Sequence, residues 1–91
     1  MEPPRMRGRR VPDETEPHTY APGDYGRWRG EWWFLSPIEP PPEHALGRLK
    51  NHTVEEHADG TITVSPSILQ KYGKGGVVFH GWLRAGVWTR A

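Results

Sequence analysis

His52-Thr53-Val54-Glu55-Glu56-His57-Ala58-Asp59-Gly60-Thr61-Ile62-Thr63-Val64-Ser65 is a pair of β-prone runs joined through Asp59-Gly60. Asp-Gly between β-formers is the strongest short-range hairpin signal, because glycine accepts the left-handed backbone that a tight turn requires. Two registers compete. A two-residue loop sets Glu55 opposite Val64 and His57 opposite Ile62. A three-residue loop, Ala58-Asp59-Gly60, sets Val54 opposite Val64 and Glu56 opposite Ile62. A one-residue slip moves every side chain to the other face, so apolar matching decides. The three-residue loop gathers Val54, Ile62 and Val64 on one face and is the register expected. It also sends His52 and His57 to opposite faces.

Downstream, Ser65-Pro66-Ser67-Ile68-Leu69-Gln70-Lys71-Tyr72-Gly73 carries a serine, a proline and a closing glycine in the positions of a capped helix. One or two helical turns and an irregular loop both fit it. Val77 to Leu83 and Val87 to Thr89 read as a second hairpin around Arg84-Ala85-Gly86. A three-residue loop, the favoured choice, pairs Trp82 with Trp88 and Leu83 with Val87. A two-residue Ala85-Gly86 loop is the alternative.

Upstream, Glu31-Trp32-Trp33-Phe34-Leu35-Ser36 is an aromatic strand stopped at Pro37. Pro40-Pro41-Pro42 cannot join a ladder and reads as a surface connection. Residues 1–27 contain no Ile, Leu or Phe and include Pro3, Pro4, Pro12, Pro17 and Pro22. So little apolar surface does not offset ordering entropy of about 1–2 kcal/mol per residue. They are expected to form an extended or disordered arm, attached through Tyr20, Tyr25 and Trp28. Residues 28–91 are then the folded domain.

The fold class is therefore all-β and mainly antiparallel, with roughly four or five short strands, two hairpins and at most one short helix. The expected core is Trp32 or Trp33, Phe34, Leu35, Leu49, Val54, Ile62, Val64, Val77, Phe79, Leu83 and the Trp82/Trp88 pair. A chain of 91 residues fits one domain, and it buries only about 60–65% of its unfolded surface. With eleven glycines and ten prolines it is loop-rich. It has no cysteine, which excludes disulfides and thiolate metal sites. The arginines near the N-terminus precede no apolar run, so no secretory signal peptide is expected. No stretch approaches the about 20 apolar residues of a membrane helix.

Formal net charge is +1, which supplies no global attraction to polyanions. Locally, Arg5, Arg7, Arg9 and Arg10 form a basic cluster followed by Asp13, Glu14 and Glu16. Flexible basic arms neutralise phosphates and release counterions. Arg27-Trp28-Arg29 interleaves a ring with cations, as single-strand stacking platforms do. A nucleic-acid contact through Arg5, Arg7, Arg9, Arg10, Arg27 and Arg29 is thus one expectation. Another comes from the tryptophans. Trp28, Trp32 and Trp33 cannot all point inward from one strand, and tryptophan dominates binding hot spots. Tyr20, Tyr25, Trp28, Trp32 and Trp33 are therefore the expected protein-interaction residues. His52, Glu56 and His80 would share a metal only if the second hairpin packed beside the first, so no metal site is expected. The adjacent Glu55 and Glu56 diverge and make a poor acid/base pair. Gly73-Lys74-Gly75-Gly76 lacks the spacing of a phosphate loop. Neither an enzyme nor a cofactor is expected.

The run from His52 to Ile68, with its Asp59-Gly60-Thr61-Ile62-Thr63-Val64-Ser65-Pro66-Ser67-Ile68 element, precedes Phe79-His80-Gly81-Trp82-Leu83-Arg84-Ala85-Gly86-Val87-Trp88. Together they resemble small β-rich proteins encoded by tailed bacteriophages of actinobacteria. The resemblance covers roughly Trp32 to Thr89. It implies a phage accessory or virion-associated protein, located in the host cytoplasm or the virion. It implies no activity and assigns no functional residue. Some related small β families place cysteines near the aromatic strand, and this chain has none there. The expected function is a non-enzymatic protein-interaction or self-assembly module, with a protein partner or a second copy as ligand. Nucleic-acid binding is the alternative.

Overall fold

The computed structural model describes residues 5–74 and 76–91. Within them run ten short strands: β1 (Arg5–Arg7), β2 (Arg9–Arg10), β3 (Asp24–Trp28), β4 (Glu31–Leu35), β5 (Leu46–Arg48), β6 (Thr53–Glu56), β7 (Ile62–Ser65), β8 (Ile68–Tyr72), β9 (Gly76–Arg84) and β10 (Val87–Arg90). The only helical element among the described residues is a 3-10 turn, Pro17–Thr19. The chain is all-β, as expected, with more and shorter strands than the sequence reading counted. A front sheet has the order β1-β10-β9-β8, a back sheet has β2-β3-β4-β5, and β6-β7 form a separate ribbon. All pairings are antiparallel except β2 with β3.

The β6-β7 ribbon has the three-residue loop. Val54 pairs with Val64 and Glu56 with Ile62, and Gly60 takes a φ of 88°. Asp59 Oδ1 accepts hydrogen bonds from the Thr61 amide (3.0 Å) and hydroxyl (2.7 Å). These bonds favour the ionised carboxylate and lower its pKa below the ordinary 3.8. Ile62 and Val64 enter the core, with Val54 packed beside them.

The second hairpin takes the other register. Arg84 pairs with Val87, Leu83 with Trp88 and Trp82 with Thr89, which leaves a two-residue Ala85-Gly86 loop. Both loop residues are left-handed, at φ 46° and 76°, the turn whose twist matches that of its strands. Packing supplies the reason. Trp88 sits between Phe34 (ring centroids 5.6 Å apart) and Phe79 (5.5 Å), and its indole N–H donates to the Gly23 carbonyl at 2.9 Å. With Phe79 and Leu83 on that same buried face, alternation along β9 turns Trp82 outward.

Two further expectations are corrected. Residues 68–72 form β8 rather than a helical turn or a loop. Ile68 faces the core, and Gln70 reaches the Ala45 carbonyl at 2.9 Å, while Leu69 lies exposed between them. That period-2 pattern pairs with β9 where a helix would have grouped Ile68, Leu69 and Tyr72. Val77, assigned to the core, is 56% exposed because β9 runs past Phe79, its last core contact at that end.

Residues 5–27 are extended, but they are part of the domain rather than an arm beside it. β1 borders the front sheet and β2 and β3 belong to the back sheet, so the boundary at residue 28 cuts through a β3-β4 hairpin. The apolar surface comes from residue types other than Ile, Leu and Phe. Tyr25 is 1% exposed, and Val11, Pro17 and Tyr20 are buried. Val11 and Tyr20 pack over Gly26, where an added Cβ would lie 2.6 Å from Val11 Cγ2. The two sheets and the ribbon enclose one core of Tyr25, Phe34, Leu49, Ile62, Val64, Ile68, Phe79, Leu83 and Trp88.

Candidate nucleic-acid interface

The sequence-predicted residues divide between the two sheets. Tyr20 and Tyr25 lie inside the domain and offer no surface to a partner; burial raises both phenol pKa values above 10. Trp28, Trp32 and Trp33 are half-buried on the back sheet. Trp28 and Trp33 meet edge to face at 5.8 Å. Arg29 covers Trp28 at 4.3 Å and Arg48 covers Trp33 at 5.3 Å, while Arg10 and Arg27 flank Trp32 at 4.8 and 5.6 Å.

Carboxylates hold much of this group. Arg9 forms a two-pronged ion pair with the buried Asp24 (3.1 and 2.7 Å), which keeps its guanidinium pKa above the ordinary value. Arg10 donates to Asp13, Glu56 and the Gly60 carbonyl, each at 2.9 Å. Burial works to lower the Arg10 pKa, and the bonds to Asp13 and Glu56 outweigh it. Arg48 pairs with Glu31 at 3.2 Å, and the Arg29 amide donates to Glu14. Arg9, Arg10 and Arg48 therefore serve the fold, while the Arg27 and Arg29 guanidiniums lie against Trp32 and Trp28 with no carboxylate partner among the described residues.

The front sheet differs in kind. Its four strands carry Arg5, Arg7, Lys71, Arg84 and Arg90, and none carries an aspartate or glutamate. No carboxylate among the described residues pairs with Arg7, Lys71, Arg84 or Arg90. Met6, Trp88 and Leu83 point into the core, so their neighbours point out. The pairing sets out three rows on the outer face: Arg7–Val87–Arg84, Arg5–Thr89–Trp82, and Ala91–His80–Leu69. Trp82 stands at the middle of this face. Arg84 lies over its ring at 4.8 Å, and the His80 ring lies 6.4 Å away at an interplanar angle of 30°. At the open end of the sheet, a cleft of about 200 Å³ descends to Met6, Phe79 and Trp88, with Arg5 and Arg90 on its rim.

Of the six arginines expected to contact nucleic acid, only Arg5 and Arg7 stand here. The alternation that buries Met6 turns them outward together. His80, Trp82, Arg84 and Arg90 were missed. One signal for them was legible: no Asp or Glu follows Asp59, while Lys71, Lys74, Arg84 and Arg90 do.

Two other histidines, His52 and His57, bond within the scaffold. His52 Nε2 lies 3.2 Å from the Ser67 carbonyl, and His57 Nε2 lies 2.7 Å from the Thr63 hydroxyl. Among the described residues, no three His, Asp or Glu side chains converge as metal ligands would. No helix among them is long and apolar enough to cross a membrane. Compared with protein-family models, curated proteins and solved structures, the chain matches none.

Proposed function

We propose that the protein is a non-enzymatic nucleic-acid-binding module acting through the outer face of the front sheet. The observation that carries this reading is that every charged residue on the four front-sheet strands is basic, with Arg5, Arg7 and Arg84 on the outer face around an outward tryptophan. On a chain of net charge +1, that separation creates a local field that the total charge conceals. Arg7 and Arg84, which pair with no carboxylate among the described residues, are free to neutralise phosphates, and counterion release then supplies affinity. The resemblance to actinobacterial phage proteins supports placing this activity in a phage accessory or virion setting.

The test is a titration of labelled DNA and RNA with the full chain across a range of salt. Affinity is expected to fall steeply with salt, and Arg84→Glu is expected to abolish binding while the fold persists. Binding that is insensitive to salt, or unchanged in Arg84→Glu, contradicts the reading.

A second reading, association with another protein or a second copy, is favoured by a separate observation. Strand β8 is a sheet edge on which Leu69 and Tyr72 are about half exposed, and edges of this kind pair with other chains unless blocked. It predicts a dimer in sedimentation that Leu69→Lys converts to monomer. A monomer at all concentrations removes it.

A further inference from the structure

On the footing of that phosphate-binding reading, we infer that the ligand is single-stranded and that an unpaired base stacks on Trp82. Duplex recognition places a helix or a narrow ribbon into a groove. The front sheet instead presents a four-stranded face with its aromatic side chain at the centre and cations around it. A sheet with outward rings is suited to bases that are already unstacked, since every base has a π-face to offer.

Trp82 has no part in the core cluster, which Trp88 supplies. Arg84 and His80, both from the same strand, lie against its ring. Arg84 rests on the ring at 4.8 Å without a carboxylate among the described residues to anchor it. A phosphate draws the guanidinium off, and the freed ring face receives the base. His80, near-parallel and 6.4 Å away, stands further off than Arg84 and extends the aromatic row along β9. Thr89 is the cross-ladder neighbour of Trp82 on this face.

The back-sheet tryptophans do not offer this. Trp28 and Trp33 occupy each other edge to face, Arg48 on Trp33 is tied to Glu31, and the Trp33 indole N–H is buried. Arg29 over Trp28 has no carboxylate partner among the described residues either, but Trp33 meets the Trp28 ring edge to face, so Trp28 serves as the internal control for Trp82.

The experiment uses the full chain with fluorescent oligothymidylate and the corresponding oligothymidylate–oligoadenylate duplex. The single strand should bind more tightly. Trp82→Ala should weaken single-strand binding about five- to hundredfold and leave duplex binding almost unchanged, while Trp82→Phe restores most of the loss. Trp28→Ala should leave both affinities unchanged. Equal affinity for strand and duplex, with no special effect of Trp82→Ala, overturns the stacking inference and leaves the phosphate reading standing. No salt-dependent binding to either probe overturns both.

Discussion

The two sheets use the same pair of residues, arginine against tryptophan, in opposite ways. On the back sheet, Arg9, Arg10 and Arg48 are each bonded to a carboxylate, and Arg10 also ties β2 to the β6-β7 loop. On the front sheet, Arg84 covers Trp82 with no acid in any of the four strands. A cation–π contact is worth only about 0.5–1 kcal/mol at an exposed site, so by itself it says little about purpose. The carboxylates and the neighbouring rings make the difference. Arg10 and Arg48 are committed to the fold by their carboxylates; Arg29 over Trp28 is as unpaired as Arg84 among the described residues, and what separates Trp28 from Trp82 is that Trp33 already meets its ring edge to face.

The strongest disturbance should come from the residue that both sheets share. Trp88→Ala removes the ring between Phe34 and Phe79 and leaves the Gly23 carbonyl only its longer bond from the Arg9 amide, at 3.4 Å. A loss of about 3–5 kcal/mol is expected in urea denaturation. Next is Asp24→Ala on the back sheet. It leaves the Ala21 amide unpaired and releases Arg9, at a cost of about 1–3 kcal/mol. If stability were unchanged, the back-sheet ion pairs would not be structural, and the contrast between the sheets would weaken.

Trp82→Ala should be milder, within about 0.5 kcal/mol, because its side chain lies outside the core. A larger loss would assign Trp82 to the scaffold. The smallest effect is expected from Tyr20→Phe. The Tyr20 hydroxyl is buried without a partner, so its removal should be neutral or slightly stabilising. Tyr25 provides the pH counterpart. Burial raises its folded pKa, so its contribution is fully present below pH 10 and is lost as pH rises through the folded value. Tyr25→Phe should reduce that alkaline sensitivity, as read from unfolding midpoints.

Legibility in the sequence followed local chemistry. The Asp59-Gly60 turn was readable to the register because glycine and apolar matching agree there. The Ala85-Gly86 turn was not, because it requires a left-handed alanine, which a sequence offers no reason to expect. Strand β8 was missed because Ser65-Pro66 and Gly73 punctuate a strand with residues that also bound helices. Residues 5–27 were misjudged by a count of Ile, Leu and Phe, when Tyr25, Val11 and Tyr20 supply the buried surface. The absence of acids after Asp59 stands in plain view. Its meaning depends on topology, because β1 brings Arg5 and Arg7 from the other end of the chain to the same sheet.

The contrast between the sheets is tested most directly by the salt dependence of oligonucleotide binding in single-arginine variants of the full chain. Arg7→Ala and Arg84→Ala should each reduce the slope of log affinity against log salt by about one, and Arg27→Ala and Arg29→Ala should leave it unchanged. The reverse pattern, with the slope set by Arg27 and Arg29, would contradict the assignment of binding to the front sheet.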